Sequence, residues 1–247
     1  METRSKRRWT AVTVLFAVTA VLLSLGLWTR STDQPTSIFT DTTRTTGVTS
    51  TSGVAQQALR QPASLTSSKM SISAPAVAVP LVIEIPSIDV KSPVLAVGMT
   101  KAHAMAAPEG GANSPYWADT FWYRGSSVPG AVGTATIAGH IDDAYGRYAV
   151  FGRLSSLVRG DRINIGNTKT GLRETFVVTA THMYTLAQTT TRPVLNLMYG
   201  SGPPRGLGPL PSRDGRAHLS LITCAGTWDN AVHSHNERLV VSAVRIR

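Results

Sequence analysis

Past residue 79 the chain is cut into short, β-branched runs, each closed off by glycine, proline, asparagine or aspartate. The runs are LVIEI (81–85), TATIAGH (134–140), DRINIG (161–166), ETFVVTATHMY (174–184), HLSLITC (218–224) and RLVVSAVRI (238–246). Alternation of apolar and polar residues turns one face of a strand toward a core. DRINIG alternates cleanly, and HLSLITC sets Leu219 and Leu221 on one face. The stretch SGPPRGLGPLPSRDG (201–215) holds too much proline and glycine for a central strand and reads as a loop. Many short strands with few helices predict an all-β domain whose sheet closes, or nearly closes, into a barrel. One segment departs from this pattern. In YAVFGRLSSLVRG (148–160), Val150, Phe151, Leu154 and Leu157 stand at helical spacing ahead of Gly160, which predicts a helix.

The N-terminal third has a different character. Residues 9–28, WTAVTVLFAVTAVLLSLGLW, carry no charge. At about 1.5 Å per helical residue, this stretch matches a hydrocarbon core of roughly 30 Å. Trp9 and Trp28 mark its ends, where interfacial aromatics belong. Arg4, Lys6, Arg7 and Arg8 precede it and only Arg30 soon follows, so the positive-inside rule puts the N-terminus in the cytoplasm. A cleaved signal peptide is the competing reading, but its apolar region would be shorter, about 7–15 residues. Residues 29–78 are rich in Ser and Thr, poor in aromatics and without a sustained period. They bury too little apolar area to offset the entropy of ordering. The expected organisation is a cytoplasmic tail (1–8), one transmembrane helix (9–28), a Ser/Thr-rich disordered linker (29–78) and a folded domain (79–247). The protein is then expected in the cell membrane as a single-pass protein with an extracytoplasmic domain.

The formal net charge of +10 favours anionic partners such as lipid headgroups or an acidic envelope polymer. No basic helix or aromatic stacking platform is evident, so no nucleic acid partner is expected. Cys224 is the sole cysteine, which excludes an intramolecular disulfide. In an exported domain a lone thiol is a buried inert residue, an intermolecular bridge or a reactive nucleophile. Cys224 ends a predicted strand and precedes Ala225 and Gly226, where the chain must turn. The attacking species is a thiolate, so it needs a base or a positive charge nearby. His140 ends another predicted strand and is a candidate general base toward the thiol and general acid toward a leaving amine. Arg238 opens the last run, and its permanently charged fork suits an oxyanion or a substrate carbonyl. Thr223, beside the thiol, either shapes a substrate groove or faces the core. His233 and His235 are rival bases, expected at the surface because their surroundings are rich in Gly, Asn and Asp. The Cys and His spacing of a zinc site is absent, and neither a metal nor another cofactor is expected.

These strings resemble sortases. SLITC (220–224) is similar to that family's TLxTC strand, which carries the nucleophile. TIAGHID (136–142) resembles the earlier strand that ends in the histidine, and NERLVVSA (236–243) the last strand, which opens with an arginine. All three occur in the family's order. IPSIDVKSPV (85–94) resembles the domain's first strand and turn, and FGRLSSLVRGDRI (151–163) the helix-to-strand link after the histidine. The resemblance covers roughly residues 79–247. It is nearest to the class F, actinobacterial-type enzymes, on the small residues that follow the cysteine in TCAG. Two departures stand out: Ser220 where the family has Thr, and a long GPPRGLGPLPSRDG loop ahead of the cysteine strand.

The resemblance implies a closed sortase-type β-barrel of about eight strands with one or two short helices. It implies a cysteine transpeptidase that cleaves an LPxTG-like sorting signal between Thr and Gly. Cys224 is then the nucleophile that forms a thioester, His140 its proton-transfer partner and Arg238 the electrostatic stabiliser. The implied partners are secreted proteins that bear the sorting signal, an amine acceptor such as a cell-wall precursor, and the lipid bilayer through the N-terminal anchor. The alternative is a catalytically inactive extracytoplasmic β-domain that binds wall polymers, in which Cys224 would be dispensable.

Overall fold

Every β-branched run named above lies in a strand, and eight strands close on themselves. The structure, a computed structural model, describes residues 75–100, 104–200, 212–231 and 233–246. The expected tail, the transmembrane helix and most of the linker lie outside the described residues. Among the described residues no helix is long and apolar enough to cross a membrane. The strands are β1 (Val77–Ile85), β2 (Val90–Val97), β3 (Thr120–Tyr123), β4 (Gly133–Gly139), β5 (Arg162–Asn167), β6 (Arg173–Thr185), β7 (Ala217–Asp229) and β8 (Ser234–Arg245). Around the barrel they run β1-β2-β3-β4-β7-β8-β6-β5. The β2–β3 and β4–β7 pairs are parallel, and the others are antiparallel. Closure leaves no unpaired sheet edge, which is how such folds avoid edge-to-edge association.

Alternation fills the interior. Ile83, Ile85, Val94, Trp122, Ile137, Ile163, Ile165, Phe176, Leu221 and Val241 point inward and are fully buried in one cluster. The all-β barrel is therefore as expected. β2 and β3 lie outside the runs named from alternation; in β3 the signal is lost because all four residues, TFWY, are buried. Trp122 joins the interior cluster, while Phe121 and Tyr123 point the other way.

The helix expected over 148–160 is not formed. Only a single 3-10 turn stands there, Leu154–Ser156, among a series of i to i+3 backbone bonds: Gly152 to Ala149, Leu154 to Phe151, Ser156 to Arg153 and Leu157 to Leu154. The spacing explains the difference. Phe151, Leu154 and Leu157 recur every three residues, the 3-10 period, and all three are buried. Val150, four residues before Leu154, is only partly buried, so the i+4 side of a helical face is incomplete.

The helices lie elsewhere. Thr185 and Gln188 form a reciprocal capping box that opens the short helix α1 (Leu186–Thr189). Pro193 sits at the start of α2 (Arg192–Tyr199), where its fixed φ is already helical and its missing N–H costs nothing. α2 packs on the outside of the barrel, burying Val194 and Met198 against Ile222 and Val240. The Thr136 hydroxyl donates to the Met198 carbonyl (2.7 Å) and pins the end of α2 onto β4.

Phe151 is fully buried and holds the turn after β4 against the barrel. Phe151→Ala is expected to lower unfolding stability by about 3–5 kcal/mol, read from urea denaturation, because the ring leaves a cavity that the closed barrel cannot collapse to fill. A loss below about 1 kcal/mol would mean that the turn is not packed as described.

Candidate active site

Strand register decides which side chains meet. On the parallel β4–β7 pair, Ala138 stands opposite Ile222. Two residues further along each chain are His140 and Cys224, on the same face because strand side chains alternate. On β8, Cys224 is paired with Arg238, and on β6, Arg238 is paired with Tyr184. His140, Cys224, Arg238 and Tyr184 thus form one row across four adjacent strands, on the outer face. The next row along, Ala138, Ile222 and Val240, is the surface that α2 covers. α2 therefore borders the row as a wall.

Each member of the row is held from behind. His140 follows Gly139, where there is no room for a side chain: a Cβ there would lie 2.6 Å from Phe151 Cδ2. The Phe151 N–H donates to the His140 carbonyl (2.9 Å). Trp117 and Phe121 meet the His140 ring edge-on, with centroids 4.8 and 5.5 Å away. Nε2 lies 2.9 Å from the Pro108 carbonyl oxygen. A carbonyl only accepts, so Nε2 carries the hydrogen, and in the neutral ring Nδ1 is left with its lone pair free to take a proton.

The strand that carries Cys224 does not end there, as the sequence reading expected; β7 runs on to Asp229. The chain kinks instead. Between the Ala225–Glu237 and Trp228–His235 pairs, β7 has one residue more than β8, a β-bulge, and Gly226 within it has φ +77°. That left-handed conformation favours glycine. A Cβ at Gly226 would also collide with Asn236 Oδ1, at 2.1 Å. Cys224 itself is half-buried.

Arg238 is anchored through its guanidinium. Nη1 donates to the carbonyls of His235 (2.8 Å) and Glu237 (2.7 Å), and Nη2 to Ser234 Oγ (3.0 Å). A guanidinium has five N–H donors, so these contacts leave donors for a substrate oxygen.

Burial pushes the Cys224 thiol above the ordinary thiol range. The Arg238 cation opposes that rise, while the carboxylates of Asp142 and Glu109 add to it. Tyr199, at the end of α2, has its phenol pushed up to about 12, first by burial and then by nearby Tyr123, against the pull of Arg238. Its ring meets that of Tyr123 edge-on, with centroids 5.6 Å apart.

Two expectations about neighbouring residues change. Thr223 points into the barrel at 3% exposure, on the face opposite Cys224. It is therefore not placed to line a substrate groove. Its hydroxyl finds no partner among the described residues. His233 is exposed, as expected, but His235 is buried on β8 and bonded to Asp142. The strand in fact begins at Ser234, and alternation puts His235 on the same face of β8 as Leu239 and Val241. That pattern was present in the sequence, masked by the polar residues around it. Among the described residues no three His, Cys, Asp or Glu side chains converge as a metal site. A surface cavity of about 690 Å³ lies on the His140 side, lined by Lys91, Trp117, Asp143, Tyr148 and Arg153 among others. Trp117 belongs both to this cavity and to the packing around His140.

A sortase-domain family model matches residues 83–246. The chain belongs to the sortase family. Its matches among solved structures are distant sortases. A lid mutant of sortase A from Corynebacterium diphtheriae is 21% identical, with a TM-score of 0.49, covering 79% of this chain and 94% of that one. Sortase C-1 from Actinomyces oris is 17% identical, with a TM-score of 0.46 and coverage of 79% and 95%. A Clostridium perfringens sortase D5 transpeptidase is 16% identical, with a TM-score of 0.45 and coverage of 69% and 79%. Among curated proteins none matches. In this sortase domain the matched segment contains the whole row from His140 to Arg238.

Because Cys224 is the only cysteine, alkylation reports on it alone. Iodoacetamide labelling should rise with pH along a curve whose midpoint lies above that of a free thiol, since burial disfavours the thiolate. Arg238→Gln should move that midpoint further up, because the cation that favours the thiolate is gone. A midpoint moving down in this variant would contradict the electrostatic pairing of Arg238 with the thiol.

Proposed function

We propose that this sortase-family chain is a membrane-anchored cysteine transpeptidase acting on secreted proteins with an LPxTG-like sorting signal. The observation that carries the reading is the row His140, Cys224, Arg238, assembled by register from the β7–β8 hairpin and the end of β4, which is remote from it in sequence. Nucleophile, proton-transfer group and cation lie side by side on one open face bordered by α2. The membership of the family supports the same chemistry.

In the first half-reaction the Cys224 sulfur attacks the Thr carbonyl carbon of the signal. The thiol proton passes to His140, directly or as thiolate formation draws it away. Negative charge gathers on the carbonyl oxygen, where the spare donors of Arg238 stabilise it. The bond to Gly then breaks, His140 protonates the departing amine, and a thioester remains on Cys224. In the second half-reaction an acceptor amine attacks the thioester carbonyl and loses a proton to His140. The Cys224 sulfur leaves and a new amide bond forms. The acceptor is a cell-wall precursor or another protein. Because burial disfavours the thiolate, transfer of the thiol proton to His140 accompanies the attack on the carbonyl rather than preceding it.

We place the enzyme in class F, on the small residues Ala225 and Gly226 after the cysteine, Gly226 lying in the bulge of β7. The apolar stretch 9–28 supports attachment to the membrane with the barrel outside the cell.

Intact-mass measurement of the full-length chain with an LPxTG-type peptide is expected to show a peptide-sized adduct on Cys224. Added glycine amine should resolve it into a joined product. Cys224→Ala should abolish the adduct. His140→Ala and Arg238→Ala should each slow product formation by roughly 10²–10⁴. No adduct across a panel of sorting peptides, with the thiol closed to iodoacetamide, would leave an inactive wall-binding domain as the reading.

A further inference from the structure

We infer that His235 is a positioning residue of this site: it ties together the segments that carry His140, Cys224 and Arg238. The inference rests on Cys224 being the nucleophile.

His235 Nε2 lies 3.1 Å from Asp142 Oδ2, and Asp142 is two residues past His140. Its Nδ1 lies 3.2 Å from the carbonyl oxygen of Gly226, two residues past Cys224. Its own backbone carbonyl accepts from Arg238 Nη1 at 2.8 Å. One residue thus bonds into all three segments. The ring is 9% exposed and meets Trp228 edge-on, with centroids 5.5 Å apart. With both nitrogens engaged and little access to solvent, it is not placed to act as the site's base.

The groups facing His235 are Asp142, the Gly226 carbonyl and the Trp228 ring. A carboxylate and a backbone carbonyl are both acceptors, and an imidazole N–H is the donor they lack. The ring therefore bridges the loop after His140 to the bulge after Cys224, and the His235 carbonyl fixes the Arg238 guanidinium from the same residue. A chain of contacts like this sets the relative positions of three groups that must meet one substrate.

The test measures kcat and KM for transfer of an LPxTG-type peptide to a glycine amine by the full-length chain, in wild type, H235A, D142N and the double variant. H235A and D142N each cut the tie between the loop after His140 and β8, and each is expected to lower kcat about ten- to hundredfold with KM changed less than about threefold. Both remove the same contact, so the double variant should be about as slow as the slower single variant. Thermal unfolding monitors folding in parallel. A melting temperature that falls while kcat holds overturns the proposal, as do losses that multiply in the double variant. If H235A does not fold, D142N decides by itself: an unchanged kcat overturns it. A wild type that transfers no peptide and whose thiol never labels overturns the catalytic reading of Cys224 instead, and this inference with it.

Discussion

Parallel pairing of β4 with β7 is the constraint on which the rest of the site depends. It sets Ala138 against Ile222 and so delivers His140, just past the end of β4, beside Cys224 on β7. Parallel neighbours cannot be joined by a tight turn and require a long crossover. Here β5, β6, α1 and α2 all fall between the two strands in sequence. The intervening chain is put to use: β6 returns to pair with β8, and α2 lands on the outer face to wall the row. A slip of one residue in this register would send His140 or Cys224 to the opposite face. The buried Ile137 and Leu221, directly opposite each other and both inward, oppose such a slip.

Around the thiol, burial and charge compete. Burial keeps Cys224 protonated, and two carboxylates act in the same direction, while one guanidinium opposes them. The guanidinium is effective because it is fixed: two backbone carbonyls and one hydroxyl hold it before any substrate arrives. Preorganised donors of this sort need not reorient as charge develops, which is the source of their effect on a transition state. His140 is similarly prepared, with aromatic edges setting the ring plane and a carbonyl setting the hydrogen on Nε2.

Much of this was legible in the residues. Six strands announced themselves by their β-branched, alternating runs; β2, interrupted by Pro93, did not, and neither did β3, because TFWY is buried on both faces and so loses the period-two signal. The stretch 148–160 shows the limit of periodicity. Phe151, Leu154 and Leu157 do face the core, but a spacing of three suits consecutive 3-10 turns as well as a helix, and short segments do not separate the two. α2 was not anticipated from the sequence, because its buried side needed a barrel surface to define it. His140, Cys224 and Arg238 were recognisable as reactive types at strand ends. Thr223 and His235 were not assignable, since adjacency to the thiol in sequence puts Thr223 on the wrong face and remoteness hides how close His235 comes.

What the sequence alone determined was the class of structure and the inventory of chemistry: short strands that must close, one thiol, and a histidine and an arginine in or beside other strands. These follow from local properties, namely side-chain alternation, turn residues and reactive groups, which each segment carries by itself. Only the tertiary structure decided which of these groups meet. Strand register and the bulge at Gly226 bring residues 140, 224 and 238 into one row, turn residue 223 away from it, and place residue 235 behind it. The physical reason is that pairing between strands is a property of the closed barrel as a whole, set by the packing of its interior, and no single segment contains it.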